Sequence, residues 1–165
     1  MSLSILVWLA VGAYALHIVE EHVLDWFGWA RKTMNLSMTR ETYVTIEAAF
    51  VVLGVVAAMA ASAMPVVGLA FVALLVINVT FFHVLPMAMA GGRFSPGTFS
   101  GLLFYVIGWT ALTSASATGS NVTWAVVIGA AVILWPMLLL QLKREAYFRG
   151  EAVAASGRKP ARRKK

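Results

Sequence analysis

Residues 3–26 read LSILVWLAVGAYALHIVEEHVLDW. From Leu3 to Leu16 the stretch carries no charge, and then His17, Glu20, Glu21, His22 and Asp25 follow in quick succession. About 20 mainly apolar residues suffice for a helix to cross some 30 Å of hydrocarbon, so Leu3–Trp26 is long enough to span. Lipid offers no partner to open backbone groups, which makes the span helical. The segment is too long for a signal-peptide core, has no basic start, and shows no small-residue cleavage site ahead of its acids. It is therefore expected to stay in the mature protein.

Working outward, four more apolar runs have the same character: Tyr43–Met64, Val66–Met89, Thr98–Thr118 and Val122–Leu142. Of the 165 residues 61% are hydrophobic and only 12% charged, against about 25% charged in soluble domains. The predicted fold is an all-α polytopic membrane bundle of five transmembrane helices over residues 1–145. A basic tail, 146–165, is expected to be disordered. Turn chemistry marks the breaks at Met64-Pro65, at Gly91-Gly92-Arg93 with Ser95-Pro96-Gly97, and at Thr118-Gly119-Ser120-Asn121. Ser95 reads as an N-cap with Pro96 at the first helical position. Pro86 and Pro136 each predict a kink or an early unwinding. With no cysteine, disulfides, thiolate zinc sites, iron–sulfur clusters and a cysteine nucleophile are excluded.

Basic residues orient the chain. Arg31, Lys32 and Arg40 lie between spans one and two, Arg93 lies between spans three and four, and the remainder follow Lys143. With five spans these segments share one face, so the N-terminus is predicted outside and the tail cytoplasmic. The location expected is the plasma membrane of a bacterium. The tail Arg158-Lys159-Pro160-Ala161-Arg162-Arg163-Lys164-Lys165 is read as attracted to anionic lipid headgroups rather than to nucleic acid.

Every histidine of the chain, His17, His22 and His83, falls inside a predicted span, as do Glu20, Glu21 and Glu47. Ionisable groups in a bilayer are costly and mark functional sites by default. At 1.5 Å per residue, Glu20 lies about 16 Å and Glu47 about 10 Å from the basic loop, so the groups share a layer in the cytoplasmic half. His17, Glu20 and Glu21 stand at i, i+3 and i+4 and project from one helix face. His22 points elsewhere. The order matches neither H-E-x-x-H nor H-x-x-E-H, so a protease assignment has no support. Carboxylates in a low-dielectric layer without Lys or Arg must be protonated, paired with imidazolium, or bound to a cation. Imidazole with carboxylate is the usual ligand set of zinc, iron or manganese.

The candidate ligands of a divalent metal, zinc or iron, are therefore His17, Glu20, Glu21, Glu47 and His83, with Glu21 also the candidate general base. His22, Asn78, Ser100 and Tyr105 are supporting or substrate-contacting candidates. The function expected is a metal-dependent membrane enzyme, hydrolytic or oxidative, acting on an apolar or lipid-like small molecule. The alternatives are a small proton-coupled transporter built on the intramembrane glutamates and working as a homodimer, and a haem protein ligated by two histidines.

His17-Ile18-Val19-Glu20-Glu21 resembles the signature of the HXXEE-domain proteins, small multi-span membrane proteins. The resemblance extends to Glu47, to Asn78 with His83, and to Ser95-Pro96-Gly97, and covers most of residues 10–115. It implies a site at these residues and carries no implication about activity, because the family is functionally uncharacterised.

Overall fold

The computed structural model describes residues 1–34, 36, 38–114 and 117–135. The tail 146–165 and Pro136 lie outside the described residues, as does the end of the fifth predicted span. The described chain is all-helical: α1 Leu3–Val23, α2 Trp26–Thr33, α3 Arg40–Ala60, α4 Pro65–Val79, a π-turn Thr80–Val84, α5 Leu85–Met89, α6 Thr98–Leu112 and α7 Gly119–Trp135. Three helical stretches are long and apolar enough to cross a membrane: Leu3–Val23, Arg40–Ala60 and the continuous run Pro65–Met89. At 15 residues α6 is about 22 Å long, shorter than these three.

Local chemistry sets the ends. The Ser2 hydroxyl accepts from Ile5 N at the start of α1, and Thr39 accepts from Thr42 N at the start of α3, as N-caps do. The first span stops earlier than its hydropathy predicts. Leu24 N–H closes onto Glu20 O, and Asp25 takes the left-handed conformation, φ 53°. Its carboxylate then accepts from Gly28 N to start α2. Trp26 and Ala30 are buried while Arg31 and Lys32 end the helix, an amphipathic segment suited to an interface. Residues 26–33 lack a long apolar run, which is why hydropathy passed over them.

α1 packs against α3, α4 and α6, and α4 packs also against α3 and α6. Small residues permit the close approach that membrane helices favour. Phe71 of α4 lies against Gly54 of α3, and Gly68 of α4 meets Ala61 and Val7. Of the small residues of α3, Gly54, Ala57 and Ala58 are buried, while Ala48 and Ala49 are exposed. Large apolar side chains such as Leu16, Val19, Val52, Met59 and Trp109 cover the outside.

The disturbance expected at Pro86 takes the form of the π-turn. Pro86 has no N–H to give the carbonyl four residues back, and its ring crowds that carbonyl. The helix widens just upstream, with Leu85 N–H bonding to Thr80 O five residues before it. π-turns of this kind concentrate at functional sites, and this one carries His83.

Candidate metal centre

α1, the π-turn and the start of α6 meet around two imidazole rings. His17 and His83 are fully buried, and Glu21 is 6% exposed. Their ring centroids are 4.8 Å apart in an edge-on arrangement. The residue that lets them approach the start of α6 is Gly97, whose φ is +88°. A Cβ there would sit 2.6 Å from His83 Cε1 and 2.8 Å from His17 Cε1, so any side chain would displace one ring.

Hydrogen bonds determine which nitrogen of each ring carries the proton. His83 Nδ1 lies 2.7 Å from Pro96 O, and a carbonyl only accepts, so Nδ1 is the protonated nitrogen. His17 Nδ1 lies 3.0 Å from Ser100 Oγ. That hydroxyl spends its one proton on Glu20 Oε2 at 2.5 Å, and it must accept from His17 Nδ1–H. Both neutral rings thus direct the Nε2 lone pair the other way, toward Glu21 Oε1, at 3.6 Å from His17 and 3.3 Å from His83. Neither Nε2 has a hydrogen-bond partner. Glu21 Oε2 meanwhile accepts from Tyr43 OH at 3.1 Å.

Two imidazole lone pairs and a carboxyl oxygen, all within 4.8 Å of one another, therefore face each other. Donors about 2.0–2.2 Å from a tetrahedral ion stand roughly 3.3–3.6 Å apart, which matches both separations to Glu21. The remaining polar atom of each side chain is tied down by Ser100, Pro96 or Tyr43, the arrangement that fixes ring orientation and donor strength at metal sites. His17, Glu21 and His83 could hold one metal ion. The described residues gather no second group of this kind.

Glu20, expected as a ligand beside Glu21, is placed elsewhere. Its Oε1 accepts from Gly97 N at 2.9 Å and Phe99 N at 3.2 Å, and its Oε2 from Ser100 N at 2.7 Å and Ser100 Oγ. The first N–H groups of a helix have no partner within it and attract anions. Glu20 thus caps α6 from another helix, and no lone pair of it points to the imidazoles. The cap expected at Ser95 shifts accordingly: α6 begins at Thr98, and buried Ser95 instead lies 3.3 Å from His83 Nδ1.

Glu47 and His22 form an adjoining pair. Glu47 lies beside Glu21, with Oε2 3.6 Å from His22 Nε2. Its Oε1 is buried without a hydrogen-bond partner, and it is not one of the three converging donors. His22 is half-exposed, bonds to Ile18 O through Nδ1 and stacks on Tyr43. Asn78 lines a cavity of about 50 Å³ with Glu21, Tyr43, Glu47, Phe50, Phe82 and Ile133 of α7, enough for a few waters or a small polar head. Tyr105, expected near the site, is bonded to Thr80 Oγ1 at 2.8 Å and ties α6 to the beginning of the π-turn. Ser100 stands where a supporting residue was expected. Tyr43, not among the expected site residues, carries a sequence signal: it precedes Glu47 by four residues, on the same helix face. Gly97 and the Pro96 carbonyl carried no such signal.

The two histidines do not fit haem. Axial imidazoles lie on opposite faces of a porphyrin plane, whereas these rings touch edge to face at 4.8 Å, with Glu21 and Gly97 against them.

A family model described as "Protein of unknown function with HXXEE motif" matches residues 8–112. The chain belongs to the HXXEE family. The match takes in α1 from residue 8 onward, the π-turn and all of α6, and with them His17, Glu20, Glu21, Glu47, His83 and Ser100. No curated protein and no solved structure gives a significant match. In this HXXEE protein the string His17-x-x-Glu20-Glu21 is a compound motif, in which His17 and Glu21 belong to the candidate metal centre and Glu20 to the helix start that braces it.

Proposed function

We propose that this HXXEE protein is an integral membrane metalloenzyme acting on an apolar or lipid-like substrate through His17, Glu21 and His83. One observation carries the reading: two imidazole lone pairs and a carboxylate oxygen converge, while every other polar atom of those side chains is already engaged. A two-histidine, one-carboxylate set is used by catalytic zinc and by non-haem ferrous iron. The ion when bound supplies Lewis acidity for hydrolysis or a place for dioxygen. Around it the chain's own residues divide the work. Ser100 and Pro96 hold the rings in one tautomer, Tyr43 orients Glu21, and the helices keep bulk water out. Glu21 as a donor is no longer free to act as base, so that role passes to Glu47, whose unpartnered Oε1 lies beside the cavity.

The membrane topology belongs to the same proposal: five spans, N-terminus outside, site in the cytoplasmic half. It is supported by three helices of crossing length, by the apolar exterior, and by basic residues confined to segments on one face.

Elemental analysis of the protein purified from membranes tests this reading. About one zinc or iron per chain is expected, lost in His83→Ala and Glu21→Gln and retained in Glu47→Gln. Protein that stays metal-free after zinc or ferrous iron is supplied would overturn it. A metal-free chain that moves cations on a proton gradient would establish the transporter in its place.

A further inference from the structure

The cavity beside the candidate metal centre carries information about what enters it. Glu21 lines this space and neither imidazole does. Its walls are largely aromatic and aliphatic, with Ile46, Phe50 and Phe82 among them; Glu47 and Asn78 also reach it, as do the polar-tipped Tyr14, Tyr43 and Trp26, the last with a buried Nε1 that has no hydrogen-bond partner. Glu47 is 5% exposed, and its Oε1 is a buried acceptor without a donor. Asn78, on α4, is half-buried, and its amide offers two N–H donors and a carbonyl acceptor. A buried acceptor left without a donor costs about 1–3 kcal/mol, so an occupant that donates to Glu47 and accepts from the Asn78 amide is favoured.

Charge narrows the choice. The inference rests at this step on the metal reading above. With both rings neutral, one divalent ion balances the carboxylates of Glu21 and Glu47. An anionic head would then face Glu47 uncompensated, and an ammonium head would leave excess positive charge in a layer that penalises either. We propose that the cavity receives the hydroxyl head of a long-chain alcohol, the O–H donating to Glu47 Oε1 and the oxygen accepting from the Asn78 amide. Its apolar tail lies along the aromatic and aliphatic wall and continues between the helices into lipid. The substrate class of the enzyme is accordingly a neutral hydroxyl-bearing lipid.

The test uses the full chain in phosphatidylcholine nanodiscs, with bound zinc measured separately, and a diazirine-bearing dodecanol as photolabel. Labelling is expected at Ile46, Phe50 or Phe82 of the zinc-loaded protein. Dodecanol should displace the label at about tenfold lower concentration than dodecylamine or dodecanoate, the factor that one to two hydrogen bonds supply. Asn78→Leu should reduce labelling by a similar factor while zinc content is unchanged. If one zinc binds per chain but the three competitors act alike, or if label falls only on outward-facing residues, the alcohol proposal is wrong and the metal reading stands. If zinc does not bind and dodecylamine competes best, the metal reading fails and the charge argument fails with it. The competition is read on the unmodified protein, so it decides the matter even where Asn78→Leu does not fold.

Discussion

The two halves of α1 solve opposite problems. In the first half Leu6, Val7 and Ala10 are buried by shape alone, and Val7 meets Gly68 and Ala61 in a contact with no polar atom to satisfy. One turn beyond Tyr14, the same helix face buries His17 and Glu21. There each polar atom must be assigned a partner, and the three left over define a site. The first half teaches how the helices are held together, and the second what they are held together for. A helix pair packed through small residues tolerates conservative change in volume, whereas a buried polar layer tolerates almost no change in donor count.

Substitutions sharpen that contrast. The largest effect is expected from His17→Ala or His83→Ala, which should take bound zinc from about one per chain to near zero, read by elemental analysis, with the helical circular dichroism kept. Affinity in the unmodified protein should also fall on acidification. The ion needs both Nε2 lone pairs, so protons compete with it for the same two atoms as the pH falls. Next comes Glu20→Ala, which removes the cap of α6 and leaves three backbone N–H groups open. A loss of about 2–3 kcal/mol is expected in detergent unfolding, the upper range of a lost helix cap because three N–H groups lose one acceptor. Should Glu20→Ala instead abolish metal binding at unchanged stability, Glu20 is a ligand after all and the contrast between the neighbouring glutamates fails. Ser100→Ala should lower zinc affinity about 10–100-fold with a smaller change in stability, because His17 loses the partner that fixes its tautomer. At the apolar end, Gly68→Val should cost about 1–3 kcal/mol through overpacking against Ala61 and Val7 and leave zinc binding alone. The smallest effect is expected for Tyr105→Phe, about 1 kcal/mol, since it removes a single hydrogen bond to Thr80.

Hydropathy alone made the long helices legible, because lipid leaves the backbone no alternative to a helix. The spacing of His17, Glu20 and Glu21 placed all three on one face, and that much is correct. It could not separate Glu20 from Glu21. Their division of labour depends on where α6 begins, 77 residues further on in sequence, and on a left-handed Gly97 that no periodicity reveals. His83 was legible as a costly intramembrane group, but not the widened turn that carries it. The end of α1 was misjudged by three residues, since Asp25 acts through its own backbone conformation and not through hydropathy.

The π-turn at Thr80–Val84 holds one residue more than a regular helix would accommodate. It behaves as an insertion that evolution can reverse. Excising one of residues 80–82 would restore ordinary winding; the helix beyond would keep its phase, whereas His83, inside the widened turn, would be carried around the axis by up to about 100°. A chain shortened in this way would remain a respectable apolar helix while turning its imidazole away from Glu21. The length of that loop of backbone, more than the identity of any side chain in it, is therefore the trait by which working and vestigial copies of this architecture would be told apart.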